Sequence, residues 1–468
     1  MSMRVTVNAF DRFVVGVMVA IIGAIGLTVA LGDRVGLTLR SVNAQDGLHT
    51  TESLALVFSD RLNPRTLNAI QLDPPIEGEW ELLGTLARFK PSLYWQVNQT
   101  YTLTINQALQ SRNGRELLRP LTYTFEVQMP QVAYLYPADS VPQNIWVTPI
   151  DGTGEPKQVT FSTTGIFDFA VSPSGRQLVY SQRRSDAPIT DLMLLDLESG
   201  ESALLVDCSG ADCTAPAWRA DELMLAYTRA DTSRLLQGQG VSPDRVWLLD
   251  LTTTPPNTSP LFEESQILGY APQWSMNGSR IAMFDNNTPG IVVYDFLTET
   301  MDVIATEQGS IGALSPDGSQ LVYPQLVFDG ARARSVLTLA DLETNEVQRL
   351  SPNDTPVEDD MPQWSLDGQT LIFSRRYWDE RYTFGTQLYG MDADQLGEAY
   401  PILVDEAYTH GFFSLDPSAQ RVVIQRFPVA TATSDNPAAM RPSVWVYDRT
   451  TEQASELATN AFYPRWVP

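Results

Sequence analysis

The sequence predicts an all-β chain dominated by a β-propeller, on three observations. A two-strand unit recurs along the chain and breaks off in its seventh copy. Its spacing matches a four-stranded blade, about 40–50 residues. Its apolar runs are short, rich in Val, Ile, Leu and Tyr, and punctuated by Gly, Pro, Asp and Asn, which favours strands over helices.

The copies read FAVSPSGRQLVYS (169–181), PAWRADELMLAYT (216–228), PQWSMNGSRIAMF (272–284), GALSPDGSQLVYP (312–324), PQWSLDGQTLIFS (362–374) and GFFSLDPSAQRVVI (411–424). The seventh is YPRWVP (463–468). Aligned on Val171, Trp218, Trp274, Leu314, Trp364, Phe413 and Trp466, they step by 47, 56, 40, 50, 49 and 53 residues. Each unit has a second half, as in DLMLLDLESGE (191–201) and SVWVYDRTTEQ (443–453): an apolar strand, an Asp-led turn and a short last strand. The segment before the first copy supplies what the seventh lacks, in VAYLYP (132–137), NIWVTPIDGTGE (144–155) and KQVTF (157–161). The expectation is a seven-bladed propeller over 131–468, closed by strand 463–467 pairing with 132–161. A six-bladed ring is the alternative if 132–161 stands apart.

The turns Ser315-Pro316-Asp317-Gly318, Trp364-Ser365-Leu366-Asp367-Gly368 and Trp274-Ser275-Met276-Asn277-Gly278 resemble the WD40-like (PD40) repeats of TolB-type bacterial propellers. That resemblance implies protein–protein work in a cell-envelope assembly. Copies two and six depart from the pattern, with Ala220-Asp221-Glu222 and Asp416-Pro417-Ser418, and are expected to turn differently.

Two segments precede the propeller. Residues 13–32 are an uncharged run of 20, long enough to span a bilayer, after a short cytoplasmic segment 1–12. A signal peptide with 28–30 as cleavage site is the competing reading. A retained single-pass anchor places the chain in the cytoplasmic membrane with its bulk extracytoplasmic. Residues 35–128 hold seven short strands between turns, which reads as a β-sandwich. LALVFSDRLN (54–63), LARFKPSLYWQVNQTYTLTIN (86–106) and YTFEV (123–127) resemble bacterial Ig-like domains of the SbsA type, which implies a spacer or adhesive module.

Composition narrows the chemistry. The net charge is −25, which argues against nucleic acid as a partner. Cys208 and Cys213, in DCSGADC, form a disulfide in an oxidising compartment or else remain two inert thiols. The two histidines, His49 in the sandwich segment and His410 in the propeller, lie too far apart in the sequence organisation for a two-His metal site or a triad. Nucleophile-elbow and phosphate-loop motifs are absent, so the chain is expected to be no enzyme and to need no cofactor. One acidic cluster, Asp354, Glu358, Asp359 and Asp360, is a solvated loop or a weak Ca²⁺ candidate.

Blade parity sorts the loops. The first-to-second and third-to-fourth turns are short; the opposite face carries the long insertions 181–191, 228–245, 327–335 and 374–387. These gather Arg183, Arg184, Arg229, Arg234, Arg332, Arg334, Arg375, Arg376 and Arg381 on one side of an acidic protein. In the fifth blade Arg375, Arg376, Tyr377, Trp378, Arg381 and Tyr382 are the residue types of interface hot spots. Arginines paired locally with Asp379 and Glu380 are the plain alternative. The functional expectation is a docking platform for an envelope or membrane protein, within a multisubunit complex. A glycan-binding or carbohydrate-active propeller is second and an envelope sensor third.

Overall fold

The computed structural model describes residues 36–185, 189–232, 242–263, 266–330, 332–429 and 441–468, together with Met18, Ile21 and Ile22. The rest of the 13–32 run lies outside the described residues. Among those described, no helix is long and apolar enough to cross a membrane.

The chain divides into two compact units. The first holds all seven strands expected before the propeller. Leu39–Val42, Leu54–Phe58, Leu86–Pro91 and Gly78–Leu83 form one antiparallel sheet in that order; Ile70–Asp73, Thr100–Ile105 and Leu121–Glu126 form another. Burial alternates along Leu54–Phe58, with Leu54, Leu56 and Phe58 inside, as a half-buried strand requires.

The second unit comprises residues 128–468 with two short additions, 49–52 and 93–97. His49 therefore belongs to this unit, not to the sandwich segment. Within it Trp95 is fully buried and donates to the Glu52 carbonyl at 2.7 Å. Among the described residues the unit contains seven four-stranded antiparallel sheets. Six are meanders of consecutive strands. The closing sheet runs Lys157–Gln158, Asn144–Pro149, Gln131–Tyr136, Phe462–Val467, with Trp466 opposite Val132. First strands of successive sheets touch one another, and Phe462–Val467 touches both Tyr408–Leu415 and Ile166–Val171. The circuit of sheets is closed, and the unit is a β-propeller. Apolar residues from adjacent sheets share cores, as where Ala133, Leu135 and Val467 cluster with Phe169 and Leu178.

The first strands bend at one place. In four of them a residue at positive φ precedes a proline: Ala215 (51°), Ala271 (50°), Met361 (52°) and Tyr463 (56°). At each the ladder register shifts, as at a β-bulge, the setting in which a strand tolerates a residue without N–H. The preceding N–H still finds a partner. Ala215 donates to Asp168 Oδ2 at 2.7 Å, Ala271 to Thr228 Oγ1 at 2.9 Å, and Tyr463 to Gln425 Oε1 at 2.9 Å.

Two expectations change here. Leu415 pairs with Val422 as Trp364 pairs with Leu371, so the sixth unit aligns on Leu415, two residues beyond Phe413. Phe413 is an equally large apolar residue, but it sits just past the bulge. The departing turns also keep the common shape. Gly278, Gly318 and Gly368 sit at φ 71°, 77° and 69°, and Glu222 and Ala419 take the same left-handed position at 60° and 52°. All five donate to the carbonyl three residues back at 2.9–3.0 Å. The turn geometry overrides the residue preference.

Candidate functional site: an arginine–aromatic cluster

Strand Thr370–Tyr377 runs four residues beyond its apolar stretch, so Arg375 and Arg376 are strand residues, not loop residues. Their partners across the ladder are Asp359 and Glu358. The acidic and basic runs, separate in sequence, are thus opposite sides of one strand pair. Such cross-strand charge pairs stabilise a sheet.

Strand alternation then divides the two arginines. Arg375 points inward at 3% side-chain exposure, and Asp359 is at 0%. Its Nε and Nη2 bond Asp359 Oδ1 and Oδ2 at 2.6 and 2.7 Å, a bidentate fork. The Ser351 hydroxyl donates to Asp359 Oδ2 at 2.5 Å. Phe373, Tyr377 and Tyr389 surround the guanidinium, 5.1–5.6 Å from ring centroid to Cζ. Arg375 is a framework residue and leaves the list of docking residues, because no partner reaches it.

Arg376 faces outward. It pairs with Glu358, donates to the Phe384 carbonyl at 3.3 Å, and lies 4.5 Å over the Trp378 ring. Arg332, from the neighbouring hairpin Gln320–Asp329/Arg332–Asp341, lies 4.6 Å over the same ring. Tyr382 packs on Trp378 with centroids 5.3 Å apart. Arg381 pairs with Asp379 and covers Tyr377 at 3.9 Å. In this cluster Tyr382 is 46% exposed and Phe384, whose carbonyl Arg376 meets, is 70% exposed; Phe328, opposite Ala333 on the neighbouring hairpin, is also 70% exposed. Neither phenylalanine is among the residues singled out from sequence, although both lie within the long insertions 327–335 and 374–387.

The other sequence candidates scatter. Arg334 donates to the Val357 carbonyl at 3.1 Å. Arg183 covers Phe167 at 5.8 Å, and Arg184 meets Asp207 and Asp191 at 3.2 and 3.5 Å, both on the first sheet. Arg234 lies outside the described residues. Cys208 and Cys213 are joined in a disulfide. The acidic four do not assemble. Glu358 and Asp359 are held by arginines, Asp360 accepts from the Met361 N–H at 2.7 Å, and Asp354 contacts Thr355. Burial pushes the Asp360 carboxyl up, and the charges of Glu358 and Asp359 add to this. Among the described residues no group of side chains is arranged to hold a metal ion, so the Ca²⁺ reading of these four is withdrawn.

One repeated feature escaped the sequence reading. Arg229, Arg375 and Arg426 each stand eleven residues after the anchors Trp218, Trp364 and Leu415. Each stacks on an aromatic at the same third-strand position: Trp247 at 4.8 Å, Tyr389 at 5.5 Å and Trp445 at 4.6 Å. Arg426, at 2% exposure, pairs with Asp405. Beside it His410 is buried, and desolvation together with the Arg426 charge pulls its pKa down to about 4. Anchoring the sixth unit on Phe413 hid the eleven-residue spacing.

No protein-family model and no curated protein matches this chain. Solved structures do. A puromycin hydrolase is 13% identical with a TM-score of 0.51, covering 72% of this chain and 54% of its own. A puromycin-hydrolyzing peptidase of Mycobacterium tuberculosis is 12% identical with a TM-score of 0.50, covering 80% and 53%. TolB of Acinetobacter baumannii is 13% identical with a TM-score of 0.42, covering 80% and 81%. The chain spans about half the length of the two hydrolases, and at these identities the likeness concerns the fold alone. It nevertheless corrects the expectation that the chain is no enzyme. Propellers of this fold occur in chains that are hydrolases, so a missing catalytic motif is no ground for excluding catalysis.

Proposed function

We propose that the seven sheets are the blades of a seven-bladed propeller whose longer-loop face is a docking platform for a cell-envelope or membrane protein. Residues 13–32 would tether it to the cytoplasmic membrane, and residues 36–127 would form an Ig-like spacer outside the cytoplasm. The observation that carries the docking reading is the cluster around Trp378. Two guanidinium groups cover its ring, and Tyr382 and Phe384 stand exposed in the same loop. A rigid aromatic–arginine core ringed by solvent-facing apolar side chains is the composition of an interface hot spot.

The test is affinity purification of the full chain from solubilised membranes, comparing wild type with Arg332→Ala/Tyr382→Ala/Phe384→Ala. Loss of the co-purifying protein in the variant, with the fold intact by circular dichroism, supports the reading. An unchanged set of partners refutes it. Binding of an envelope polysaccharide in place of a protein would favour the glycan reading, since exposed rings also stack on sugars. Fractionation of cells tests the tether: the chain should leave the membrane pellet when residues 1–34 are removed.

A further inference from the structure

The three stacked arginines are not equally neutralised. Arg375 has Asp359 opposite it on the first strand, and Arg426 has Asp405 from the connection before its sheet. In the second sheet the residue opposite Arg229 is Cys213, consumed in the disulfide with Cys208. Among the described residues no carboxylate lies within ion-pairing distance of Arg229, which rests on the Trp247 ring. Where its counterparts meet a carboxylate, Arg229 borders a cavity of about 400 Å³. That volume falls in the range of small-molecule sites.

The lining matches an anionic ligand. Arg245 also borders the cavity and spends one nitrogen on the Phe262 and Glu263 carbonyls at 3.0 and 3.2 Å; among the described residues its other N–H groups meet no acceptor and can serve a ligand. Ser242 adds a hydroxyl, and Pro243, Trp247 and Leu268 supply apolar wall. Asp231, in the same lining, sets a limit on charge: it repels a second anionic group on the ligand. The guanidinium of Arg229 already rests over the Trp247 ring, 4.8 Å from its centroid, so less rotamer entropy is lost on binding.

We infer that this cavity is a monocarboxylate site, in which a ligand carboxylate supplies to Arg229 and Arg245 the counter-charge that Asp359 supplies to Arg375. The carboxylate belongs to a small organic acid or to the free C-terminus of a peptide. The site is separate from the Trp378 cluster and does not depend on the docking reading.

The full chain is titrated calorimetrically with benzoate and with N-acetyl-Gly-Leu, each against its carboxamide, and with phthalate as a dianion. Saturable binding of at least one monocarboxylate, absent for its amide and weaker for phthalate, is the expected result. Benzoate alone marks a small-acid site, and the dipeptide alone marks a C-terminus site. Arg229→Gln and Arg245→Gln should each weaken binding by about tenfold or more, the worth of a charge-assisted hydrogen bond, and Arg376→Gln should not. If Arg229→Gln fails to fold, Arg245→Gln alone decides. No saturation by either acid up to about 10 mM, weaker than any useful affinity on the usual scale, overturns the inference. So does equal binding of acid and amide, or affinity indifferent to the arginine that folds as Gln.

Discussion

Asp359→Ala should be among the most damaging single changes in the propeller. It deletes the acceptor of two arginine hydrogen bonds at 2.6 and 2.7 Å and of the Ser351 bond at 2.5 Å. Arg375 is left at 3% exposure, too deep for water to replace the lost partner. Breaking one side of a buried pair costs roughly 3–5 kcal/mol, because a buried charge remains uncompensated. Three aromatic rings around Arg375 offset part of that cost, which places the expectation at about 3 kcal/mol. Removing both charges is different. Asp359→Leu/Arg375→Met leaves no buried charge unpaired, only the Ser351 hydroxyl without its acceptor, and replacements of a buried ion pair are often neutral or stabilising by about 1–4 kcal/mol. Urea unfolding followed by tryptophan fluorescence measures both, with the free-energy change read from the midpoint at constant slope. The reasoning fails if Asp359→Ala costs less than about 1 kcal/mol, the range of an exposed pair. It fails equally if the double variant loses the sum of the two single changes. Docking should survive in the double variant; loss of a partner from a folded Asp359→Leu/Arg375→Met chain would mean that Arg375 meets that partner.

Further outcomes are open to measurement. Trp466→Ala empties a buried site among Val132, Tyr134, Val423 and Val444 on the closing strand and should cost about 3–5 kcal/mol by urea midpoint. Glu299→Gly should stabilise the fold by about 0.5–1 kcal/mol, read from a raised urea midpoint, since Glu299 sits at φ 55° in an exposed turn where the first sheet uses Gly200 at 72°. His410 has a folded pKa of about 4 against 6.5 unfolded, so the unfolded chain binds the proton first as pH falls. Its contribution is intact above about pH 6.5 and lost by about pH 4, a difference of roughly 3 kcal/mol. His410→Asn should flatten the pH dependence by that amount, and an unchanged profile would contradict the buried neutral imidazole. Reduction of Cys208–Cys213 removes a short-loop constraint and should lower stability by about 2 kcal/mol, measured with and without reductant.

The repeat made the architecture legible because a propeller writes its period directly into the chain. Trp218, Trp274, Trp364 and Trp466 mark equivalent core positions, and 132–161 could be recognised as the missing part of a truncated unit. Depth was harder to read. The run Ser374-Arg375-Arg376-Tyr377 looks like an exposed loop, since charge and aromatic content dominate it. Nothing local shows that the strand continues through it, and only continuation sends Arg375 inward while Arg376 stays outside. The acidic run 358–360 is illegible for the same reason: its meaning lies in residues fourteen to eighteen positions away on the paired strand. Phe413 misled in another way. A bulge shifts register by a residue that composition does not reveal, and Leu415 was passed over. Glu222 and Ala419 show that a turn imposed by its two strands can seat a residue that its local preference would exclude.

The prolines at the bulges have a consequence for self-association. A first strand is the free edge of its sheet, since it is ladder-bonded on one side only. Free edges invite an added strand from another chain, and that is a route to aggregation. Pro216, Pro272, Pro362 and Pro464 each withhold a donor from such an edge, beside a residue twisted into the left-handed region. An invading segment would find the row of donors interrupted and its direction bent. The same residues that mark the repeat therefore interrupt the donor row of the edge on which they lie.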